Sequence, residues 1–197
     1  THQLAAAGDV NGDGYADMVA SDAATGACAL VYGRAAFAGG LRVGTAADDF
    51  LTLAEAGTLA AGAGDDTLRL TAAGASTVFT GGGANRVGIE VAPGARVAVF
   101  GGSGPDYYAV AAVPDVQVRL HDPYGAANTL RLPAGFDYAR LVPRPGSVLL
   151  SAGPALPAIH LEDVDPDNVL GGPRTVDFIE FADGRVLDYP GLIARGF

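Results

Sequence analysis

Three features of this chain predict an all-β fold wound as a parallel solenoid. Short apolar runs, most of about four to six residues, recur along the sequence, each bounded by Gly, Pro, Asp or Asn. The apolar centres Leu68, Val78, Val87, Val97, Tyr108, Val118 and Leu130 follow one another at steps of 9 to 12 residues. Gly-rich turns alternate with unlike turns between them, so the true repeat is two strands and two turns, roughly 20 residues, a period that means stacked coils. A meander of hairpins would show Asn-Gly or Asp-Gly turns between these strands, and none is present there.

The strand signals run in order through 18–20, 27–32, 67–70, 76–79, 86–91, 96–100, 107–110, 116–120, 129–132, 147–150 and 175–181. Helix signals are weak, because Gly or Pro interrupts every long apolar period; the best short candidates are 45–53 and 190–195. In the adjacent pair Tyr107 and Tyr108, alternation places Tyr108 inward and Tyr107 outward. Asp183-Gly184 is a hairpin turn between two closing strands. The resulting division is a hairpin unit at 1–40, a linker or cap with a short helix at 41–60, repeats at 61–132, and a capping β module at 133–197.

Composition narrows the function. The chain has 197 residues, 18 Asp against 4 Glu, 12 Arg, no Lys and a formal charge of −10. Such a chain is a poor nucleic-acid binder, since neutralising phosphates needs a basic face. No run approaches the roughly 18 apolar residues that span a bilayer. Apolar residues near half of the total argue against disorder. The start at Thr1, without a charged-then-apolar leader, reads as a processed or internal piece. Asp is the acid of choice where a short carboxylate must cap a turn or hold a hard cation. The single cysteine, Cys28, makes no internal disulfide and reads as a small core residue. Calcium is then the expected staple.

The sharpest motif is Asp9-Val-Asn-Gly-Asp-Gly-Tyr-Ala-Asp17. Asp9, Asn11, Asp13 and Asp17 offer side-chain oxygens at alternating positions, Tyr15 offers its carbonyl, and Gly14 allows the sharp turn of a calcium loop. Without a cation these carboxylates repel one another. An EF-hand needs Glu at the twelfth position, where Ala20 stands. With its strand-like flanks and the closing Val31-Tyr-Gly, the segment resembles the calcium loop of FG-GAP, or integrin-α-type, repeats. One such unit cannot close a propeller, so it reads as a leftover blade or as a cap on the solenoid.

The Gly-rich turns are Ala61-Gly-Ala-Gly-Asp-Asp-Thr, Thr80-Gly-Gly-Gly-Ala-Asn-Arg and Gly101-Gly-Ser-Gly-Pro-Asp-Tyr. They resemble the nonapeptide repeats of RTX, or haemolysin-type, calcium-binding proteins. The resemblance implies a β-roll in which the Gly64, Gly83 and Gly104 carbonyls and the Asp66, Asn85 and Asp106 side chains hold calcium between coils. Asn at 85 and Ala at 61 depart from the pattern, and the opposite turns lack it, so at most one row of ions is expected. The run Thr175 to Leu187 is similar to the C-terminal module that follows such repeats, which implies type I export.

Other constellations carry less. Glu162 to Asn168, with Asp163, Asp165 and Asp167, offers a third metal site or, as the simpler reading, a solvated acidic loop with a Pro-set turn. Asp122-Pro123 and Asp165-Pro166 lack the module that self-cleaving proteins of this kind carry. His2, His121 and His160 are too scattered for a zinc helix and read as surface residues at strand ends. Ser103 lies in Gly-Gly-Ser-Gly-Pro, which is no nucleophile elbow. There is no phosphate loop and no His-Glu-x-x-His.

The sequence therefore reads as a non-enzymatic, calcium-binding, secreted or cell-surface module of a type I-secreted bacterial protein, structural or adhesive and folding on calcium. Other extracellular subunits or cell-surface glycans are its expected partners, with no nucleic acid and no membrane span. Two alternatives stay open: the secretion tail of an upstream hydrolase, and a lectin-like unit.

Overall fold

The computed structural model describes residues 2–8, 10, 17–22, 27–31, 40–123, 127–137, 148–165, 167–168 and 170–195. The chain divides into two compact units, Thr1–Gly39 and Gly40–Phe197.

In the first unit, β1 (His2–Gly8), β2 (Asp17–Asp22) and β3 (Ala27–Val31) form an antiparallel sheet in that order. Leu4 pairs with Ala20 and Met18 with Val31. The register shifts between Ala6 and Gly8, so Gly8 sits opposite Asp17 at the mouth of the β1–β2 connection. Cys28 is exposed on β3 and not in a core as expected.

The second unit is the solenoid. One seven-stranded sheet runs β14-β15-β12-β10-β8-β6-β4 and the other β17-β16-β13-β11-β9-β7-β5. Each coil gives one strand to each sheet. The pairs are β4 (Leu41–Val43) with β5 (Phe50–Leu53), β6 (Gly57–Ala60) with β7 (Thr67–Leu70), and β8 (Ala75–Phe79) with β9 (Arg86–Ile89). They continue as β10 (Arg96–Phe100) with β11 (Tyr107–Val110) and β12 (Gln117–His121) with β13 (Thr129–Arg131), and end with β15 (Ala158–Leu161) and β16 (Phe178–Glu180). All of these stack parallel on the next coil. Two antiparallel strands, β14 (Val148–Leu150) on β15 and β17 (Val186–Asp188) on β16, finish the sheets. A short helix, α1 (Tyr189–Ile193), follows, capped by Asp188 with Pro190 in its first turn.

Alternation along each strand sets the core. Leu51, Leu68, Val87, Tyr108, Leu130 and Ile179 form one continuous inward column. Leu59, Val78, Val99, Leu120 and Leu161 face them from the other sheet. Every one of these is almost fully buried except Leu51, on the first coil. The expected placement of Tyr108 inside holds, and Tyr107 faces out.

Residues 41–60 do not form a linker with a helix at 45–53. They carry β4, β5 and β6, the first rungs of the same two sheets. The solenoid also continues past residue 132 through β15 and β16. The expected closing hairpin is present, with the Gly184 N–H donating to the Phe181 carbonyl at 2.9 Å.

Candidate functional site

The Gly-rich turns join sheet to sheet on one side of the solenoid and stack directly on one another. Their closeness explains the glycines. At Gly81 the backbone is left-handed, with φ +81, and an added Cβ would lie 1.8 Å from the Gly62 carbonyl oxygen. At Gly83 φ is +111, and a Cβ would lie 2.1 Å from the Gly64 oxygen. Gly104 stacks on Gly83 in the same way. Backbone bonds knit the turns: the Gly82 N–H donates to Gly62 at 3.0 Å and the Gly83 N–H to Ser103 at 2.8 Å.

Two residues beyond the last glycine of each turn runs a ladder of Asp and Asn, buried at Asp66, Asn85, Asp106 and Asn128. The Asp49 N–H donates to Asp66 Oδ1 (2.8 Å), the Asp66 N–H to Asn85 Oδ1 (3.0 Å) and the Asn85 N–H to Asp106 Oδ1 (3.0 Å). The Asp106 N–H donates to Asn128 Oδ1 (2.9 Å) and the Asn128 N–H to Asp177 Oδ2 (3.1 Å). Each side chain thus satisfies the amide that opens the strand one coil earlier. A shorter second row has Asp65 donating its N–H to Asp48 at 2.8 Å and Ala84 donating to Asp65 at 2.7 Å.

The sequence identified Asp66, Asn85 and Asp106 as one column but missed Asp49, Asn128 and Asp177. The missed signal is the triplet Asp/Asn-x-apolar, which recurs as Asp49-Phe-Leu, Asp66-Thr-Leu, Asn85-Arg-Val, Asp106-Tyr-Tyr, Asn128-Thr-Leu and Asp177-Phe-Ile.

The ladder members differ in how far their oxygens are spent. Asp106 Oδ1 accepts from both nitrogens of Asn85, and its Oδ2 contacts the Thr80 hydroxyl at 2.8 Å and the Tyr108 hydroxyl at 3.0 Å. Tyr108 also lies 2.6 Å from Asp122 Oδ2, which accepts from Asn128 Nδ2 at 2.7 Å. A phenol has one proton, so both Tyr108 contacts are hydrogen bonds only when one carboxyl group is protonated. Burial pushes the Asp106 carboxyl up, opposed by bonds from Thr80, Asn85 and Tyr108. The Tyr108 hydroxyl is driven far above its ordinary range by burial, then by the charges of Asp106 and Asp122.

Asp66 is the exception. It is 1% exposed, its Oδ1 accepts the Asp49 amide, and its Oδ2 is buried with no hydrogen-bond partner. Burial raises its pKa most; the Asp49 amide bond opposes, and repulsion from Asp49, Asp48 and Asp65 adds to the rise. Carboxylate and carbonyl oxygens are the hard donors calcium prefers. Asp66 Oδ2 is thus a hard oxygen left without a donor, whereas Asn85 and Asp106 have committed their oxygens to N–H and O–H donors. Among the described residues, no three His, Cys, Asp or Glu side chains converge as a ready-made metal site.

Asp9, Asn11, Asp13 and Tyr15 lie outside the described residues; Asp17 is the first residue of β2. The expected solvated loop at 162–168 is not solvated throughout. Asp163 is 8% exposed; its Oδ1 pairs with His121 Nδ1 at 2.7 Å, while its Oδ2 accepts the Asp122 N–H and the Thr175 hydroxyl. These partners are distant in sequence, so no local pattern announces the burial.

No family model matches this chain, and no curated protein matches it.

Proposed function

We propose that the chain is a calcium-stabilised β-solenoid that serves as an extracellular structural or adhesive module and carries out no catalysis. The observation that carries this reading is Asp66: a buried carboxylate with one unpartnered oxygen, crowded by Asp48, Asp49 and Asp65. A calcium ion would relieve that repulsion, and because it binds only the folded turns, its binding energy becomes folding energy. The oxygen-rich run from Asp9 to Asp17, at the β1–β2 connection, supports a second ion in the first unit. Export by a type I system and folding outside a low-calcium cytosol follow from the resemblance of the turns to RTX repeats.

Thermal melting in calcium and in EGTA tests the reading, with magnesium as control. At calcium about 100-fold above Kd, the expected gain is about 2.7 kcal/mol per ion. Equal melting temperatures in calcium and EGTA would sink the proposal.

A further inference from the structure

Away from the turns, the outer face of the β5–β17 sheet carries a depression of about 220 Å³. Its floor is Gly88, in the middle of β9. Neither backbone nor packing requires glycine there. Gly88 has no positive φ, and an added Cβ would meet nothing closer than the Leu68 oxygen at 3.8 Å. A mid-strand glycine weakens a strand and often marks a close approach by another molecule. Its effect here is to keep the floor open.

The walls have a definite chemistry. Phe50, Thr67, Arg86 and Tyr107 follow one another in a single outward column. Phe50 is 72% exposed. The Arg86 guanidinium lies 4.6 Å from the centre of the Tyr107 ring, and it has no carboxylate partner among the described residues. Thr67, one coil from each, leaves a slot about 9.5 Å wide between Phe50 and Arg86. On the far side of Gly88, Arg69 is bound to Glu90 Oε2 by Nε (3.1 Å) and Nη2 (2.7 Å), and both side chains are half exposed. The uncompensated charge in the depression is therefore the single positive charge of Arg86.

We propose that this depression binds a carboxylated saccharide. The exposed Phe50 ring takes a sugar face, Arg86 takes the carboxylate in its forked geometry, and the Arg69–Glu90 pair offers donors and an acceptor to neighbouring hydroxyls. An extended peptide fits less well. β7, β9 and β11, beneath the depression, are each paired on both sides and offer no free edge for backbone recognition; of the strands that line it only β5, which carries Phe50, ends the sheet. None of these side chains belongs to the aspartate ladder, so the proposal does not rest on a calcium ion bound there, and its test is run on the folded protein in calcium.

The test is calorimetry with trigalacturonate, its methyl ester and a hexaglutamate peptide. The trisaccharide binds, and esterification weakens it at least tenfold. Arg86→Gln and Phe50→Ala each cost tenfold or more without lowering the melting temperature, because both residues are exposed, and Gly88→Leu, which fills the floor, abolishes binding. Arg96→Gln, on the opposite sheet, leaves binding unchanged. The proposal is overturned by absence of binding, by equal affinity for the ester, by equal or tighter binding of the peptide, or by full affinity in Arg86→Gln and Phe50→Ala.

Discussion

Asn85 and Asp66, 19 residues apart, are joined by a 3.0 Å bond from the Asp66 amide to the Asn85 side-chain oxygen. The Asn85 side chain also donates to Asp106 at 3.0 Å. Asn85 thus separates two carboxylates along the ladder and neutralises the column at its middle. Asn85→Ala leaves the buried Asp66 N–H unsatisfied and should lower stability by about 1–3 kcal/mol in urea unfolding. Asn85→Asp keeps the acceptor but sets four carboxylates in a row, from Asp49 to Asp106. It should melt lower than wild type in EGTA and regain the loss in calcium.

The glycines divide into two kinds, which substitution separates. Gly81→Ala meets both a left-handed φ and a carbonyl 1.8 Å away. Strain of that backbone kind costs of order 1–3 kcal/mol before the clash is counted, so a severe loss of stability is expected. Gly88→Ala meets neither obstacle and should be neutral or stabilising by roughly 0.5–1 kcal/mol. Thermal melts of the two variants side by side check the contrast.

Asp66 and Asp106 bind their protons more tightly folded than unfolded, with burial the main cause in both. Their contribution to stability is complete below the ordinary value of 3.8 and is lost as the pH rises through the folded pKa. Asp66→Asn removes that loss while keeping an acceptor for the Asp49 amide. In EGTA at pH 7 it should melt above wild type, and the gap should close towards about pH 4. The same variant should respond less to calcium. A melting curve that tracks wild type at both pH values would contradict the assignment of Asp66 as the repelled group. Asp183 acts in the opposite sense: Arg185 holds its carboxyl low, and that contribution fades in acid.

Tyr108→Phe keeps the packed ring but deletes the hydroxyl that bridges Asp106 and Asp122. A loss of about 1–3 kcal/mol is expected, the cost of leaving a buried polar partner short of a bond. Leu130→Ala, by contrast, should cost about 2–5 kcal/mol through cavity formation at any pH. Urea titrations of both variants at neutral and mildly acid pH separate a polar effect from a packing effect.

The inner coils were readable because Leu68, Val87, Tyr108 and Leu130 keep nearly constant spacing, with Gly-rich turns between the sheets. The first coil was missed because its step is short, 17 residues from Asp49 to Asp66, and Thr45 and Ala47 stand where later turns have Gly62 and Gly64. The last was obscured because 49 residues separate Asn128 from Asp177, so the insertion erases the period while the register survives. At the candidate site the residue types were legible but their duty was not. The same Asp or Asn can cap an amide or ligate an ion, and only the positions of its neighbours decide how many oxygens remain. His121, Asp163 and Thr175 meet through tertiary structure alone.

The uniform register has an evolutionary consequence. Ala75 lies beside Arg96 in one sheet and Arg86 beside Tyr107 in the other, so residues 75–95 and 96–116 are interchangeable units in both sheets at once. An in-frame duplication or excision of one such unit would preserve every inward column and every ladder bond on either side of the seam. Reach can then change in whole rungs, while the reversed strands β14 and β17 stay at the far end and keep any such lineage from growing there.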